Sequence, residues 1–535
     1  MKKFLKYITF LAAGTVSLAA CQADFEKINT DFRHPKEENL LLDGLKVGGF
    51  LTSFQQNIFP VGTTGTDYVN DYQIPYTLAG ACWIGYMSPA QNKWVGTGFP
   101  SYALKNWSDY TFNVMHKKAF GNYIELKQRT EDDPAAFAIV NIIKIATVHK
   151  AADTFGSIPY SQEPEKGAIQ AVYDSQENVY RSMLKELDEA VKALREQSHD
   201  VLPNYDMIYG GSYQKWAKLA NSLMLRLAMR VVYADESLAK VYAEKAVNND
   251  FGVIESISDI AQLSRGAGVT LNNPLVTINS AAYNDVRMGA EIYSYMKGYD
   301  DPRLDAYFLK GKRNGEEGFY PVFKSLEKVD YYLEREKEKG AFSLLNVANE
   351  TPIYIMKASE VAFLRAEGAL RKWNMGGKTA EEYYKEGVSL SFKENGIADS
   401  KLGGYLNGTG KPVEFVDAAN PANNLAPVST VTVKWEGEDF EKSLEKIITQ
   451  KYIALYPDGQ EAWSEYRRTG YPHIFEAKFV RSDSNVDGKK GPTRIPYSNK
   501  EYTDNLENVQ KAVEMLGGSD DGATRLWWDK KPNKE

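Results

Sequence analysis

Apolar residues recur along much of the chain at the three- and four-residue spacing of buried α-helices. The pattern is clearest in segments 135–153, 174–194, 216–232, 237–249, 356–373 and 381–396. Small residues such as Ala362, Ala366 and Ala369 alternate with large ones, and small residues let neighbouring helices approach closely. The sequence therefore predicts an all-α, mostly helical fold with tetratricopeptide-like helical hairpins within about residues 109–400.

Four long stretches interrupt this helical pattern. They are residues 60–108, 252–283, 310–350 and 398–440. The first is rich in Gly, Pro, Thr and aromatic residues and sustains no period, which is typical of loops. Insertions from one helical scaffold usually build a functional face. We therefore expect residues 60–108 to form part of a loop-rich ligand-binding face.

Composition and charge narrow the classes of function. The 535 residues carry 64 basic and 71 acidic side chains without long blocks, and the net charge of −7 gives no electrostatic footprint for nucleic acid. Aromatic residues make up 12% of the chain and include 34 tyrosines, whose flat rings and hydroxyl groups suit recognition surfaces. After the first 20 residues, no stretch is predicted to span a bilayer.

The N-terminus has the composition of an export signal. Lys2 and Lys3 precede an apolar run from Phe4 to Ala20, and Leu18-Ala19-Ala20-Cys21 resembles the lipobox of bacterial lipoproteins. We predict a signal peptide over 1–20, lipidation of Cys21, a flexible tether over 21–36 and a single domain over 37–535. The alternative is a plain export signal or an N-terminal membrane helix in which Cys21 is incidental. Once Cys21 is lipidated, Cys82 has no partner for an intramolecular disulfide and is predicted to be a buried apolar residue.

The C-terminal third carries the most specific resemblance. Segments 447–472 (IITQKYIALYPDGQEAWSEYRRTGYP) and 494–513 (RIPYSNKEYTDNLENVQKAV) resemble two signatures of the SusD/RagB family, in the subgroup described as SusD-like starch-binding-associated proteins. DTFGSIPYS (153–161), DDPRLDAYF (300–308) and LWWDK (526–530) agree with that family in order along the chain. The acidic residues after Cys21 also resemble the surface-export signal of Bacteroidetes lipoproteins.

The resemblance implies both a location and a role. It implies an outer-membrane lipoprotein, facing the exterior, that captures nutrient oligomers and acts as the lid of a SusC-like TonB-dependent transporter barrel. Carbohydrate is the usual ligand class of the family, with a role in polysaccharide utilization, and oligopeptides are the alternative. Physical inspection of segment 461–472 predicts a helix that ends at Gly470, with Trp463 in the core and a salt-bridged surface.

Five aromatic residues in the loop-rich stretch are the candidate ligand contacts. Each lies close to Pro or Gly rather than on a periodic apolar face, and amide and hydroxyl residues alternate with them. A ring can stack on the apolar face of a pyranose while amides reach its hydroxyl groups. The candidates are Tyr76, Trp83, Tyr86, Trp94 and Tyr102. The alternative for each is that the ring seals the loops against the helices or contacts the transporter.

Metal binding and catalysis have weaker support. Asp483, Asn485 and Asp487 match the opening of a calcium loop, but Arg494 stands where a bidentate carboxylate should be. A polar turn is therefore favoured, and no cofactor is expected.

The five histidines do not have the spacing of metal ligands, and Glu360 and Glu367 share a helix face as an ordinary solvated pair. We therefore expect that the protein is not an enzyme. A glycoside hydrolase with carboxylates from distant segments and a scaffold that binds only protein remain the alternatives.

Overall fold

The structure is a computed structural model. It describes residues 45–63, 68–91, 94, 96–162, 170–263, 270–279, 283–326, 340–417, 420–437, 439–481 and 484–532. The chain divides into two compact units, Met1–Gly49 and Phe50–Glu535, and only residues 45–49 of the first are described. The predicted signal peptide, Cys21 and the tether lie outside the described residues.

Helices dominate the described residues. In chain order they are α1 (Leu45–Gln55), α2 (Val69–Tyr72), α3 (Ser108–Phe112), α4 (Lys118–Thr130), α5 (Pro134–Phe155), α6 (Gln176–Arg195), α7 (Tyr213–Arg230), α8 (Glu236–Val247), α9 (Pro274–Asn279), α10 (Ala290–Gly298), α11 (Leu304–Tyr307), α12 (Ala358–Leu370), α13 (Ala380–Glu394), α14 (Leu402–Leu406), α15 (Phe440–Leu455), α16 (Gly459–Thr469), α17 (Asn499–Asp504) and α18 (Leu506–Leu516). Two π-helical segments, Gln73–Ala81 and Asn113–Lys117, continue α2 and α3.

Short antiparallel strand pairs connect the helical regions. The strands are β1 (Gly62–Thr63), β2 (Met87–Pro89), β3 (Ala261–Leu263), β4 (Leu271–Asn272), β5 (Val286–Met288), β6 (Gly311–Arg313), β7 (Glu316–Gly318) and β8 (Ile353–Met356). They pair as β1 with β4, β2 with β5, β3 with β8 and β6 with β7. Several of these pairs join segments that are far apart in sequence, so they fasten the loop-rich stretches to one another.

Capping residues explain where the predicted helices begin. The Asp133 carboxylate accepts hydrogen bonds from the backbone N–H groups of Ala135 and Ala136 at 3.1 and 3.0 Å, and Pro134 occupies the first turn of α5. Ser175 caps α6, and Thr379 forms a capping box at the start of α13. These side chains satisfy backbone donors that a helix start leaves free.

Consecutive helices pack against each other as hairpins. α5 packs against α6, α6 against α7, α7 against α8, and α12 against α13. In the last pair, a β-carbon added to Gly387 of α13 would lie 2.7 Å from the Phe363 ring, so only glycine lets α13 approach α12 this closely. The predicted mostly helical fold with helical hairpins is confirmed.

Helix α5 corrects the prediction that no later stretch could span a membrane. By length and composition α5 qualifies, with a mean hydropathy of 1.4 over its most apolar 18 residues. Nearly all of that window is buried inside the protein, which identifies α5 as the central core helix. Its apolar character is uniform because other elements surround it on every side.

The centre of the molecule contains a buried ion-pair network rather than only apolar residues. Arg230 of α7 bonds Glu461 and Glu465 of α16, each at 2.5 Å, and Arg468 bonds Glu367 at 2.6 Å. Its members are all buried: Asp153, Arg226, Arg230, Glu360, Glu367, Lys451, Glu461, Glu465 and Arg468. Burial opposes ionisation of Glu465, but Arg468, Lys451 and Arg230 outweigh it and hold the pKa of that carboxyl well below its usual value.

This network overturns two predictions about charged residues. Segment 461–472 forms the predicted helix, and Gly470 ends it in the left-handed conformation, but its charged residues lie in the core and not on a salt-bridged surface. Glu360 and Glu367 are likewise buried, paired with Arg226 and Arg468 instead of solvated. The sequence shows the charges but not that Arg226 and Arg468, each more than 100 residues away, pair with these two glutamates.

Residues 60–108 are less loop-like than predicted. They include α2 and the π-helical segment Gln73–Ala81, in which every residue except Ile74 is buried. Pro75 and Gly80 lie within this segment and are unfavourable in helices, and the segment is short, so the sequence pattern does not reveal its helical form. A β-carbon at Gly80 would lie 2.8 Å from the Gly459 carbonyl oxygen, which shows how closely this segment approaches the start of α16.

Candidate functional site

The pairing of β2 with β5 brings two loop-rich stretches together. Met87 faces Met288 and Pro89 faces Val286, and beyond the strands the Ala90 N–H donates to the Asp285 carbonyl at 2.9 Å. The Gln91 amide then donates to the carbonyl oxygen of Tyr283 at 2.7 Å. Residues near position 90 and residues near position 283 therefore share one surface.

Two tryptophans form one side of this surface. The half-exposed ring of Trp94 meets the half-exposed ring of Trp107 edge to face, with 5.3 Å between ring centroids. The Trp94 indole N–H donates to the buried carboxylate of Asp285 at 3.2 Å, and Asp285 also accepts a hydrogen bond from Gln73. A ring that is held in place in this way and is partly exposed to solvent is suited to contacting a ligand.

The Tyr283 side chain lies on the other side. This partly exposed residue donates its hydroxyl to the Asn70 side-chain oxygen at 2.9 Å. We define the aromatic face as the rings of Trp94, Trp107 and Tyr283. The side-chain amides of Asn70, Gln91 and Asn284 frame it and add donors and acceptors beside the rings.

The family of the chain follows from comparison with known proteins. The family model described as "Susd and RagB outer membrane lipoprotein" matches residues 27–529. The chain belongs to the SusD/RagB family. A comparison with curated proteins finds no match.

Solved structures of SusD homologues resemble the chain over most of its length. A chitin-binding SusD homologue from Flavobacterium johnsoniae is 36% identical with a TM-score of 0.84, and the match covers 91% of this chain and 100% of that chain. A SusD homologue from Bacteroides vulgatus is 31% identical with a TM-score of 0.84, covering 93% and 100%. A chitin-binding protein is 26% identical with a TM-score of 0.70, covering 90% and 99%.

Of the five predicted ligand contacts in this SusD-like chain, only Trp94 lies on the aromatic face. The rings of Tyr76, Trp83, Tyr86 and Tyr102 are at most 3% exposed. Trp83 donates to the Phe99 carbonyl at 2.8 Å and meets Trp463 at 4.7 Å between ring centroids. These four rings are packed inside the protein, as the alternative interpretation predicted. A fully enclosed ring offers no face to a ligand.

The other three of these residues are also packed into the protein. Tyr76 packs against Phe59 and Tyr72, with ring centroids 5.3 and 5.4 Å away. Tyr86 stacks on Tyr452 at 4.6 Å and donates a hydrogen bond to its carbonyl oxygen. Tyr102 adopts a positive φ of 62° at the end of a 3₁₀ turn and is 1% exposed.

Sequence reasoning missed Trp107 and Tyr283. A signal existed for Trp107, which Lys105-Asn106 and Ser108-Asp109 flank with polar side chains, as expected of a ring near solvent. Nearness to Pro and Gly, the criterion used, instead selects tight turns that are packed into the core. Tyr283 could be found only from the β2–β5 pairing.

The predicted calcium loop shows an incomplete set of ligands. Asp483 lies outside the described residues, and Asp487 accepts a hydrogen bond from the Lys489 backbone N–H at 2.8 Å. Arg494, at the position of the bidentate carboxylate, is buried and forms an ion pair with Asp520 at 2.5 Å. A guanidinium group cannot ligate a cation, so calcium binding gains no support at this position.

A second group of possible metal ligands lies inside the ion-pair network. Potential ligand atoms of His149, Asp153 and Glu461 lie within 4.8 Å of one another. Arg230 approaches Glu461 at 2.5 Å and Asp153 at 3.4 Å, so a guanidinium cation already pairs with both carboxylates. The His149 Nδ1 atom lies 2.8 Å from the Ile145 carbonyl oxygen, and burial lowers the pKa of the imidazole well below its usual value. This group is part of the core and not an open metal site.

Proposed function

We propose that this SusD-like protein binds oligosaccharides at the aromatic face and delivers them to a partner SusC-like TonB-dependent transporter in the outer membrane. The observation that carries the proposal is the open pair of Trp94 and Trp107 rings beside side-chain amides. Pyranose rings present apolar C–H faces and polar edges, and such a surface complements both.

Chitin-derived oligomers are the first ligands to test. One SusD homologue that is 36% identical to the chain is described as chitin-binding. N-acetylglucosamine units add an acetamide group, which can exchange hydrogen bonds with amides such as Asn70 and Gln91. Family membership and this likeness support glycan binding without chemical turnover.

Attachment of the protein to the outer membrane is the second part of the proposal. The family description is that of an outer membrane lipoprotein, and Cys21 follows a lipobox-like sequence. More than one acyl chain on Cys21 would make attachment stable rather than transient. We place the protein on the outward side of that membrane, where it can meet oligomers before the transporter does.

The test is a titration of the purified mature protein with hexasaccharides from chitin, starch, cellulose and xylan. Trp94→Ala and Trp107→Ala should each weaken the best ligand by about 1 kcal/mol or more, roughly five-fold in Kd. The matched control is Trp435→Ala, because Trp435 is also half-buried and packs on a single ring, Tyr384, at 5.2 Å. Equal affinities for Trp94→Ala and Trp435→Ala would place stacking elsewhere.

Three parallel measurements separate the other classes of function. A peptide library in the same titration tests oligopeptide binding, and release of reducing ends from the four glycans would reveal a hydrolase. Affinity capture of the lipidated protein should recover a large β-barrel transporter. Capture of other proteins without glycan binding would favour the scaffold alternative.

A further inference from the structure

We infer that an open cleft between α10 and α14 is a second oligosaccharide-binding site, separate from the aromatic face. This inference rests on the proposed function, because it extends glycan binding to another surface of the same protein. The cleft has a volume of about 700 Å³. Its lining includes Lys297, Asp300, Phe319, Lys401 and Gly404, none of which belongs to the aromatic face.

The floor of the cleft is rigid. It contains Asp301 and Tyr405, both nearly fully buried, and the Tyr405 hydroxyl donates to the Asp301 carboxylate at 2.7 Å. Arg303, which is 0% exposed, holds the same carboxylate through its Nε atom at 2.9 Å and bonds Ser391 at 2.8 Å. Because these groups satisfy one another, the floor keeps its shape without a ligand.

Close backbone contacts fix the two walls relative to each other. A β-carbon on Gly298 would lie 2.0 Å from the Lys411 carbonyl oxygen, and one on Gly410 would lie 2.2 Å from the Gly298 carbonyl oxygen. The Val413 N–H also donates to the Ser294 carbonyl at 3.0 Å. The end of α10 and the segment after α14 are therefore joined, so the cleft is a built feature rather than a gap between independent loops.

The walls carry groups that suit a neutral sugar. Lys297 and Lys401 offer exposed ammonium donors, and Asp300 and Asp305 offer exposed carboxylate acceptors. Lys310 pairs with Asp305 at 3.7 Å and lies 5.7 Å from the centroid of the Phe319 ring, so both signs of charge are present around the cleft. Phe319 is partly exposed and adds a ring on which a pyranose face can stack. A charged ligand would be attracted by the side chains of one sign and repelled by those of the other. Hydroxyl groups, in contrast, can donate hydrogen bonds to the carboxylates and accept them from the ammonium groups.

The size of the cleft fits several sugar units. Binding sites for small ligands have volumes of roughly 300–1,000 Å³, and this cleft lies within that range. Two separate sites on one chain would raise the apparent affinity for long glycans, because the second contact is intramolecular once the first has formed. A polymer long enough to reach both sites would gain most.

A pair of glycine substitutions tests the inference. Gly403 and Gly404 are neighbours in α14, both are exposed, and a β-carbon at either position would meet nothing within 4 Å. Of these two glycines, only Gly404 lines the cleft. Gly404→Trp should therefore place an indole ring inside the cleft and obstruct it, and Gly403→Trp should add the same side chain outside the cleft.

Calorimetry with the four hexasaccharides gives the readout. For the hexasaccharide that the wild-type protein binds, we expect two molecules bound per chain, one after Gly404→Trp, and two after Gly403→Trp. Hydrogen–deuterium exchange of the wild-type protein should also show ligand protection of residues 297–304 and 400–410. This second measurement does not depend on the folding of any variant.

The outcomes separate the two proposals. If each wild-type chain binds one molecule, and residues 297–304 and 400–410 show no protection from hydrogen–deuterium exchange, the second site is overturned. The Trp94→Ala variant would still test the aromatic face in that case. Equal stoichiometry for both glycine variants also overturns it. Failure of the wild-type protein to bind any of the four hexasaccharides would instead contradict the proposed function and this inference together.

Discussion

At the residue scale, Trp83 shows how an aromatic side chain can serve packing in a family that includes a chitin-binding homologue. Its ring is 3% exposed and lies between Phe99 and Trp463. We expect Trp83→Ala to lower the free energy of unfolding by about 3–5 kcal/mol, because it removes a large buried ring and leaves a cavity. Urea denaturation measures this, with Trp94→Ala as the control that should cost much less. Equal stabilities would show that the Trp83 ring is not enclosed.

His116 makes stability depend on pH. The imidazole is buried between Phe112 and Phe120, its Nε2 atom lies 2.7 Å from the Pro159 carbonyl oxygen, and burial lowers its pKa to about 4. An unfolded histidine has a pKa of about 6.5, so between pH 6.5 and 4 the unfolded chain binds more protons than the folded one. Stability should therefore fall by about 2 kcal/mol from pH 7 to pH 5 through this residue.

The matched variant is His116→Gln, which keeps a hydrogen-bond donor but cannot titrate. It should be less stable than the wild type at pH 7, since it loses two ring contacts. Its loss of stability between pH 7 and pH 5 should nevertheless be smaller by about 2 kcal/mol. Denaturation curves at the two pH values give this difference, and parallel pH profiles for both proteins would refute the role of His116.

At the scale of elements, the contact between the π-helical segment and α16 depends on glycine. A β-carbon on Gly459 would lie 2.2 Å from the Ala81 Cα atom, so the backbones must separate to admit it. We expect Gly459→Ala to destabilise the protein by about 1–3 kcal/mol, the usual cost of overpacking. Gly121→Ala in α4 is the control, because its β-carbon would meet nothing within 4 Å. It should be neutral or stabilising by up to about 1 kcal/mol, as alanine favours helix.

The helices could be predicted wherever one face is apolar and a cap marks the start. Asp133-Pro134 and Ser175 lie at the observed starts of α5 and α6 for this reason. The π-helical segment could not be predicted, since it is short and contains Pro75 and Gly80, which are unfavourable in helices. The ion-pair network could not be predicted either, because Glu461 and Glu465, two partners of Arg230, lie more than 200 residues away and become its neighbours only in the fold.

The candidate site was predicted less well than the fold. The stretch 60–108 does supply Trp94 and Trp107, so its importance was visible from composition. Which rings face solvent was not visible, because a ring beside Gly or Pro can point inward or outward. Tyr283 shows the other limit: its place beside Trp94 depends on the register of β2 with β5, which one sequence does not specify.

At the scale of the whole molecule, the lipid anchor should decide where the protein resides. We expect Cys21→Ser to abolish acylation and release the mature protein from the membrane fraction, since no acyl chain remains to partition into the bilayer. Cell fractionation followed by immunoblotting measures this. Cys82→Ser is the control, because Cys82 is buried in the folded protein and should not affect attachment. Membrane retention of the Cys21→Ser protein would favour an N-terminal membrane helix.

The buried ion-pair network also constrains the order in which the chain can fold. Helical repeat proteins often gain structure progressively, each hairpin on the previous one. Here Arg226 of α7 takes a carboxylate partner from α12, whereas Arg230 takes two from α16, which begins only at Gly459. A nascent chain that lacks the final 80 or so residues would keep Glu360 beside Arg226 but would leave Arg230 buried with only Asp153 close to it, which is unfavourable. We therefore expect α7 to complete its packing only when the C-terminal signature has arrived, so a truncated export product should be open to proteases instead of persisting as a defective binder.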